Sequence, residues 1–119
     1  MAKAYNTGRR GENLVQRAYR AAGARVWQSP GSRGSADLIA ELPDGRIEYV
    51  QVKTSAVGKA AWPSRRSNGA LKSRATRTRG GRATPVVAQV DLRTNTIERR
   101  SARTRRQLRP LRGSGRSRG

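Results

Sequence analysis

Residues 32–53 read SRGSADLIAELPDGRIEYVQVK, and this stretch predicts the arrangement around which the rest of the chain folds. A loop of small residues ends at Asp37, an apolar run follows, and a Pro-Asp-Gly turn at residues 43–45 leads into a second apolar run. Two such runs joined by a turn are typical of a β-hairpin. Because side chains alternate along a strand, we expect Gln51 and Lys53 on one face of the second strand, close to Asp37.

A helix is predicted before the hairpin, over residues 8–22, from apolar residues at helical spacing. Thr7 is a suitable N-cap and Gly23 a suitable stop. Glu12 falls at the margin of the apolar stripe in the first turns of this helix. Its position is compatible with a carboxylate that the helix dipole favours, and also with a functional acid.

The remaining pattern predicts further strands and one more helix. The expected strands are residues 25–27, 36–41, 46–53, 85–92 and 97–102, and the expected second helix is residues 64–78. An order of helix, three strands, helix and two strands indicates an α/β or α+β sheet with helices packed on it.

The chain of 119 residues is expected to hold one folded domain, residues 1–102. From about Arg99 onward we expect no contribution to the core, and residues 103–119, rich in Arg, Gly, Ser and Pro, are expected to be a disordered basic tail. No signal peptide or membrane span is visible, so we expect an intracellular protein with no membrane partner.

The charge predicts a nucleic-acid partner. Twenty-seven basic residues stand against seven acidic ones, for a net charge of +20. A chain with this charge repels itself unless a polyanion is present. An acid inside an apolar run, as at Asp37, therefore requires a reason.

The absence of Cys and His restricts the chemistry that the chain can perform. Zinc fingers, thiol nucleophiles and imidazole bases are excluded, which leaves carboxylates, lysine, hydroxyls and a hard metal ion. Glu12, Asp37, Gln51 and the carbonyl of Val52 offer oxygen ligands suited to Mg²⁺, with Mn²⁺ able to substitute. Lys53 beside them can orient or deprotonate an attacking water and stabilise charge on a phosphate.

These residues carry a family resemblance. Residues 8–12 (GRRGE), 29–40 (SPGSRGSADLIA), 49–54 (YVQVKT) and 85–88 (PVVA) resemble the PD-(D/E)XK nuclease superfamily, and most of all the archaeal-type Holliday junction resolvases with their phage and bacterial relatives. The first and third segments also suit a family of small bacterial proteins that share the nuclease core and have no clear function. The resemblance implies an α/β, restriction-endonuclease-like core with a mixed central sheet of about five strands. It also implies a homodimer that cuts four-way DNA junctions in recombination and repair.

The resemblance also implies roles for individual residues. Glu12 and Asp37 would serve the metal site, and the family's E-x-K pair falls on Gln51 and Lys53, where an uncharged amide replaces the usual carboxylate. The family's loop serine falls on Ser29 or Ser32; we assign Ser32 to the catalytic set and Ser29 to DNA binding. The basic residues expected to contact phosphates are Arg9, Arg10, Arg33, Arg65 and Arg66.

Two other interpretations remain open at this stage. One is a non-catalytic basic nucleic-acid-binding protein of ribosomal or packaging type, in which Asp37 caps a turn and Lys53 protects a sheet edge. The other is a nuclease-like protein of the same superfamily that acts on another DNA substrate. Asp37 together with Lys53 discriminates against the first, because a binder needs no acid in a phosphate-binding face.

Overall fold

A computed structural model describes residues 2–29, 36–78 and 83–111, with side chains from Asn6 onward. The five strands form one mixed sheet in the order β1-β2-β3-β4-β5. Strands β3 and β4 are parallel, and every other neighbouring pair is antiparallel. The predicted α/β architecture of about five strands flanked by helices is confirmed. The elements are α1 (Ala2–Ala21), β1 (Arg25–Gln28), β2 (Leu38–Glu41), β3 (Ile47–Ser55), α2 (Arg65–Arg77), β4 (Ala83–Asp91) and β5 (Thr96–Ser101).

Helix α1 is longer at its start than the sequence pattern predicts. It begins at Ala2, so Thr7 lies inside the helix and its prediction as an N-cap is wrong. Val15 and Tyr19, one turn apart, are fully buried against the sheet, as residues at i and i+4 on one helix face should be. Gly23 follows the helix with φ of 89°, a conformation that favours glycine, and the predicted stop is confirmed.

The two helices cover opposite faces of the sheet. Alternate residues of each strand divide between the two cores, as the pleat requires. The core under α1 contains Val15, Tyr19, Leu38, Ala40, Val50, Val86, Ala88 and Val90. The core under α2 contains Ala36, Ile39, Tyr49, Leu71, Ala75 and Val87. Helix α2 also provides the crossover that the parallel pair β3 and β4 requires, and the Ser64 hydroxyl caps its start by accepting from the Ser67 amide.

The folded unit extends past the boundary predicted at residue 102. The chain after β5 turns back along that strand: Gln107 pairs with Arg100, and the Leu108 amide donates to the Arg99 carbonyl at 2.7 Å. Leu108 and Leu111 pack against the core under α1. Residues 103–111 therefore belong to the domain and cover an edge strand that would otherwise expose unpaired backbone groups. The rest of the expected tail, residues 112–119, lies outside the described residues.

A buried ion pair joins this segment to the middle of the sheet, so the expectation that the chain from Arg99 onward stays out of the core is wrong. Arg99 Nη2 donates to both carboxylate oxygens of Glu48, at 2.6 and 2.7 Å. Its Nε donates to the Tyr19 hydroxyl, which in turn donates to Glu48. Its Nη1 donates to the carbonyl of Arg109 at 2.7 Å. Burial, and then the Glu48 carboxylate, raise the pKa of Tyr19 far above its usual range, so the hydroxyl stays protonated and remains a donor.

Candidate active site

Asp37 is held in place by backbone hydrogen bonds on both sides. Its amide donates to the Val50 carbonyl at 2.8 Å, and its carbonyl accepts from the Ser29 amide at 3.0 Å. Strand β2 begins at the next residue, Leu38, two residues later than the predicted start at residue 36. Asp37, predicted within the strand, therefore lies just before it. Asp37 thus sits between β1 and β3 at the point where β2 starts.

Within the described residues, one oxygen of the Asp37 carboxylate has a hydrogen-bond partner, and that partner is a backbone amide. Its Oδ2 accepts from the Val52 amide at 2.8 Å. Burial raises the pKa of Asp37, while the hydrogen bond from Val52 and the charge of Lys53 act in the opposite direction. Asp37 is absent from the ion pairs of the described residues. The site therefore holds a partly desolvated acid with room for another partner.

The backbone of Val52 faces the same place. Val50 bonds to Asp37 through its carbonyl and Val52 bonds to Asp37 through its amide, so both residues direct their polar backbone groups toward β2. The amide and carbonyl of one strand residue point to the same side. The Val52 carbonyl is therefore directed to the side of β3 that carries Asp37, as expected for a metal ligand there.

Glu12 comes to this site from α1. Burial raises the pKa of the Glu12 carboxyl, the nearby negative charge of Asp37 raises it further, and Arg9 lowers it. Glu12 lines one cleft with Val52, whose amide donates to Asp37, so the two acids, 25 positions apart in the sequence, lie close together in the fold. Like Asp37, Glu12 forms no ion pair with a described residue.

Gly11 permits this approach of α1 to β3. A Cβ atom at position 11 would lie 1.9 Å from Thr54 Oγ1 and 2.8 Å from Thr54 Cβ, which no real pair of atoms tolerates. The helix backbone therefore rests directly on β3 at Thr54, immediately beside Glu12. At Gly8, by contrast, a Cβ would meet nothing within 4 Å.

Gln51 and Lys53 supply the remaining polar groups. Gln51 Oε1 is buried and has no hydrogen-bond partner among the described residues. A buried acceptor without a donor is destabilising unless something else binds it. Lys53 is half-buried and lines an open cleft of about 480 Å³ together with Glu12, and its charge lowers the pKa of Asp37.

The donors present fit a hard divalent cation. The described part of the chain contains no group of three His, Cys, Asp or Glu side chains that could hold a metal ion. The site instead offers two carboxylates, one unpartnered amide oxygen and one backbone carbonyl, which are all oxygen ligands of the kind that Mg²⁺ and Mn²⁺ bind. A cation would satisfy the unpartnered Gln51 oxygen, which is one of four buried side-chain atoms without a partner among the described residues, with those of Thr54, Asn68 and Gln89.

The predicted DNA-binding residues are spread over both helices. Arg9 and Arg10 are exposed on α1, beside Glu12, and Arg65 and Arg66 are exposed at the start of α2, on the opposite face of the sheet. The fold therefore does not bring the two arginine pairs together on one face.

The two predicted loop serines differ in what the structure shows. Ser29 is buried, and its hydroxyl accepts from Arg74 Nη1 at 2.8 Å. Its side chain is therefore bound to α2, while its backbone amide donates to Asp37. Its assignment to DNA binding stays a prediction. Ser32 lies outside the described residues, as does Arg33.

Sequence reasoning missed the supporting residues of the site. Arg74 on α2 donates to Ser29 and stacks over the Tyr49 ring, with 4.9 Å from its guanidinium carbon to the ring centroid. It thereby ties α2 to the end of β1 and to β3. Its position in a helix with many basic residues gave no reason to select it. Gly11 directly precedes Glu12, and that adjacency was the available signal for close packing.

Comparisons with known proteins were made on the sequence and on the fold. No protein-family model matches the sequence, and no curated protein matches it. A solved structure described as a VRR_NUC domain is similar, with 25% sequence identity over 68% of this chain and 83% of that chain, and a TM-score of 0.46. A TM-score of this size does not establish a shared fold, so the function proposed below depends on the site itself.

The helices within the described residues were also compared with what a bilayer requires. Neither is long and apolar enough to cross a membrane.

Proposed function

We propose that the chain is a metal-dependent DNA endonuclease, with branched DNA, in particular the four-way junction, as its substrate. The observation that carries the proposal is the pair of acids Glu12 and Asp37. Both are partly desolvated, the pKa of each is raised by burial, and neither has an ion-pair partner among the described residues, although the chain contains 27 basic residues. A binding surface for phosphates gains nothing from such a pair, whereas a site for a divalent cation requires it.

The residues divide between holding a cation and handling the phosphate. Asp37, Gln51, Glu12 and the Val52 carbonyl would hold Mg²⁺ or Mn²⁺. The bound cation would act as a Lewis acid on the scissile phosphodiester. Lys53 lies in the same cleft as Glu12. As an ammonium it places a positive charge where negative charge develops on the phosphate, and only as the neutral amine can it accept a proton from the attacking water. The exposed Arg9 and Arg10 next to this cleft position the DNA backbone without reading bases.

A four-way junction further requires that two strands be cut symmetrically. One copy of the chain has one such site, so we propose that a two-fold homodimer acts on the junction. The support for this substrate is the family resemblance of residues 8–12, 29–40 and 49–54 and the net charge of +20, which favours binding where several DNA arms meet.

The test is a cleavage assay on a labelled four-way junction beside a linear duplex of the same sequence, each with Mg²⁺, Mn²⁺ or EDTA. We expect cleavage of the junction with either metal and none with EDTA. Asp37→Asn should abolish cleavage, because it removes a charged ligand, and should leave junction affinity in a gel-shift assay unchanged or higher.

The control variant is Asp44→Asn, the same substitution at an exposed acid in the β2–β3 turn. It should cut at the wild-type rate. If Asp37→Asn also cuts at that rate while folded, the site is wrongly assigned. If the wild type binds DNA tightly and cuts neither substrate with any metal, the chain is a non-catalytic binder. If it cuts another branched or linear DNA instead, the nuclease assignment survives and the junction is the wrong substrate.

A further inference from the structure

Large hydrophobic side chains are rarely exposed in the described part of this chain, and the two that are exposed both lie near the candidate site. Trp27 is 46% exposed and Val57 is 87% exposed. Isolated apolar residues on a surface usually need no explanation. Two that flank a polar site containing two acids, in a chain with this little apolar content, do require an explanation.

Trp27 lies on β1 close to Asp37. The ladder between β1 and β2 pairs Trp27 with Ile39 and Gln28 with Leu38, and the next residue, Ser29, bonds to Asp37. Trp27 therefore lies on the strand next to Asp37, opposite the residue two positions after Asp37. Within the described sheet β1 is an edge strand, and the Trp27 side chain is 46% exposed.

Val57 lies on the other side of the site. It belongs to the loop after β3, where its amide donates to the Ser55 hydroxyl at 3.1 Å. It lines the same cleft as Glu12 and Lys53. The polar groups of the site are thus bordered by an aromatic ring on one side and an aliphatic side chain on the other.

The chemistry of these two side chains favours one occupant. A paired duplex presents phosphates and sugars at its surface, and its bases are stacked, so an exposed indole gains little from it. An unpaired base has a free π-face on which an aromatic side chain can stack. A second copy of the chain is the alternative occupant, and the oligomeric state of a Trp27 variant distinguishes the two.

We propose that Trp27 stacks on an unpaired base beside the scissile phosphate and that Val57 contacts the neighbouring nucleotide, so that the site selects DNA with unstacked bases at the point of cleavage. This inference rests on the proposed nuclease function and names the feature of the DNA that the site recognises. It accounts for selectivity toward branch points without base-specific hydrogen bonds.

The first experiment measures Trp27 fluorescence. The chain contains two tryptophans, and the other, Trp62, is half-buried under the guanidinium of Arg105. In a variant with Trp62→Phe and Asp37→Asn, Trp27 is the sole tryptophan and cleavage is prevented. Titration with oligodeoxythymidylate should quench the emission strongly, and titration with a fully paired hairpin should quench it weakly. Equal quenching by the two ligands would overturn the proposal.

The second experiment measures affinity in the otherwise native chain. Trp27→Ala should weaken binding of single-stranded DNA about tenfold, the effect of losing one base–aromatic stack, and should leave duplex binding within about twofold. Trp27→Phe should retain most of the affinity because it keeps an aromatic face, and Val57→Ala should have a smaller effect than Trp27→Ala. An equal loss for single-stranded and duplex DNA contradicts the proposal.

Two outcomes separate this inference from the function on which it rests. If the wild type cuts branched DNA and Trp27→Ala cuts with unchanged selectivity, the nuclease function stands and the stacking role fails. If no DNA is cut but Trp27 is quenched by single strands alone, the stacking role stands and the nuclease function fails. If Trp27→Ala converts a dimer to a monomer in sedimentation, Trp27 belongs to an interface between copies and the stacking proposal is wrong.

Discussion

Two acids of the same hairpin, Asp37 just before β2 and Glu48 on β3, have opposite environments. Glu48 is almost completely buried and is fully paired, with Arg99 on both of its oxygens and the Tyr19 hydroxyl on one. Asp37 is less buried, accepts one backbone hydrogen bond and has a second acid, Glu12, as its electrostatic neighbour. Arg99 neutralises the negative charge of Glu48, whereas the negative charges of Glu12 and Asp37 lie close to each other.

The difference is informative because arginine is abundant in this chain. Where the fold needs an acid in its interior, an arginine is supplied from 51 residues away. Where Glu12 and Asp37 meet, no arginine is supplied as an ion-pair partner within the described residues, although Arg9 and Arg10 lie on the same helix as Glu12. The Glu48 pair therefore serves stability, and we propose that the Glu12–Asp37 pair binds a divalent cation.

The largest expected effect is on stability at the Glu48 pair. Arg99→Leu leaves Glu48 buried without its cation and should lower the free energy of unfolding by about 3–5 kcal/mol. Asp37→Asn should leave that free energy unchanged or slightly higher, because burial already raises the pKa of Asp37 and the amide oxygen can still accept from Val52. Denaturant unfolding of both variants checks the contrast.

A double variant sharpens the same comparison. Glu48→Met with Arg99→Leu removes both charges and should recover part of the stability lost in Arg99→Leu, since replacing both members of a buried pair is often close to neutral. If Arg99→Leu and Asp37→Asn destabilise equally, the distinction between a structural acid pair and a functional one is lost.

The next effect concerns the segment that follows β5. A chain ending at residue 102 loses Leu108, Leu111 and the Arg109 carbonyl that accepts from Arg99. Its free energy of unfolding should fall by about 2–3 kcal/mol, on the order of two partly buried leucines. A chain ending at residue 111 retains these contacts and loses three arginines, so it should keep its melting temperature and show a flatter salt dependence of DNA binding. A melting temperature that does not change on ending at residue 102 would contradict the assigned packing.

A smaller effect is expected where α1 contacts β3. Gly11→Ala drives a methyl group into Thr54 and should lower the free energy of unfolding by about 1–2 kcal/mol. It should also slow cleavage, because Glu12 moves away from Asp37. Gly8→Ala, three residues earlier in the same helix and with open space around it, should raise stability slightly through helix propensity. Identical behaviour of the two alanine variants in unfolding and cleavage assays would show that the close contact is not required.

The smallest effect is expected at Gln51. Gln51→Glu adds a carboxylate of nearly the same shape to the site, so the Mg²⁺ concentration that gives half-maximal cleavage should fall several-fold, while the rate at saturating Mg²⁺ should change little. Gln51→Ala should raise the half-maximal Mg²⁺ concentration without changing DNA affinity. If neither variant shifts that concentration, Gln51 is not a ligand.

The sheet, and the placement of the candidate residues Asp37, Gln51 and Lys53 in one hairpin, could be predicted because their signals are local. Alternating apolar residues and a Pro-Asp-Gly turn specify the β2–β3 hairpin, and the same hairpin sets the spacing of Asp37, Gln51 and Lys53. The end of α1 at Gly23 could be predicted for the same reason, since glycine accommodates positive φ.

The parts that could not be predicted depend on contacts between distant residues. Arg99 stands among many arginines in the sequence, and only the fold shows that it reaches Glu48 and Tyr19. Composition predicted disorder after residue 102, but two leucines and a set of backbone hydrogen bonds are sufficient to pack residues 103–111 on the domain. No local pattern in the sequence indicates that Arg74 binds the hydroxyl of Ser29.

The Arg99 contacts also have a consequence for synthesis of the chain. The guanidinium joins partners 51 and 80 positions earlier in the sequence, and its remaining donor is satisfied by a residue ten positions later. While a ribosome has released only the part of the chain before β5, the acid at Glu48 has no cation with which to enter the interior. We therefore expect folding of the sheet to be delayed until the last described residues have emerged, so that the domain closes as one late, cooperative event.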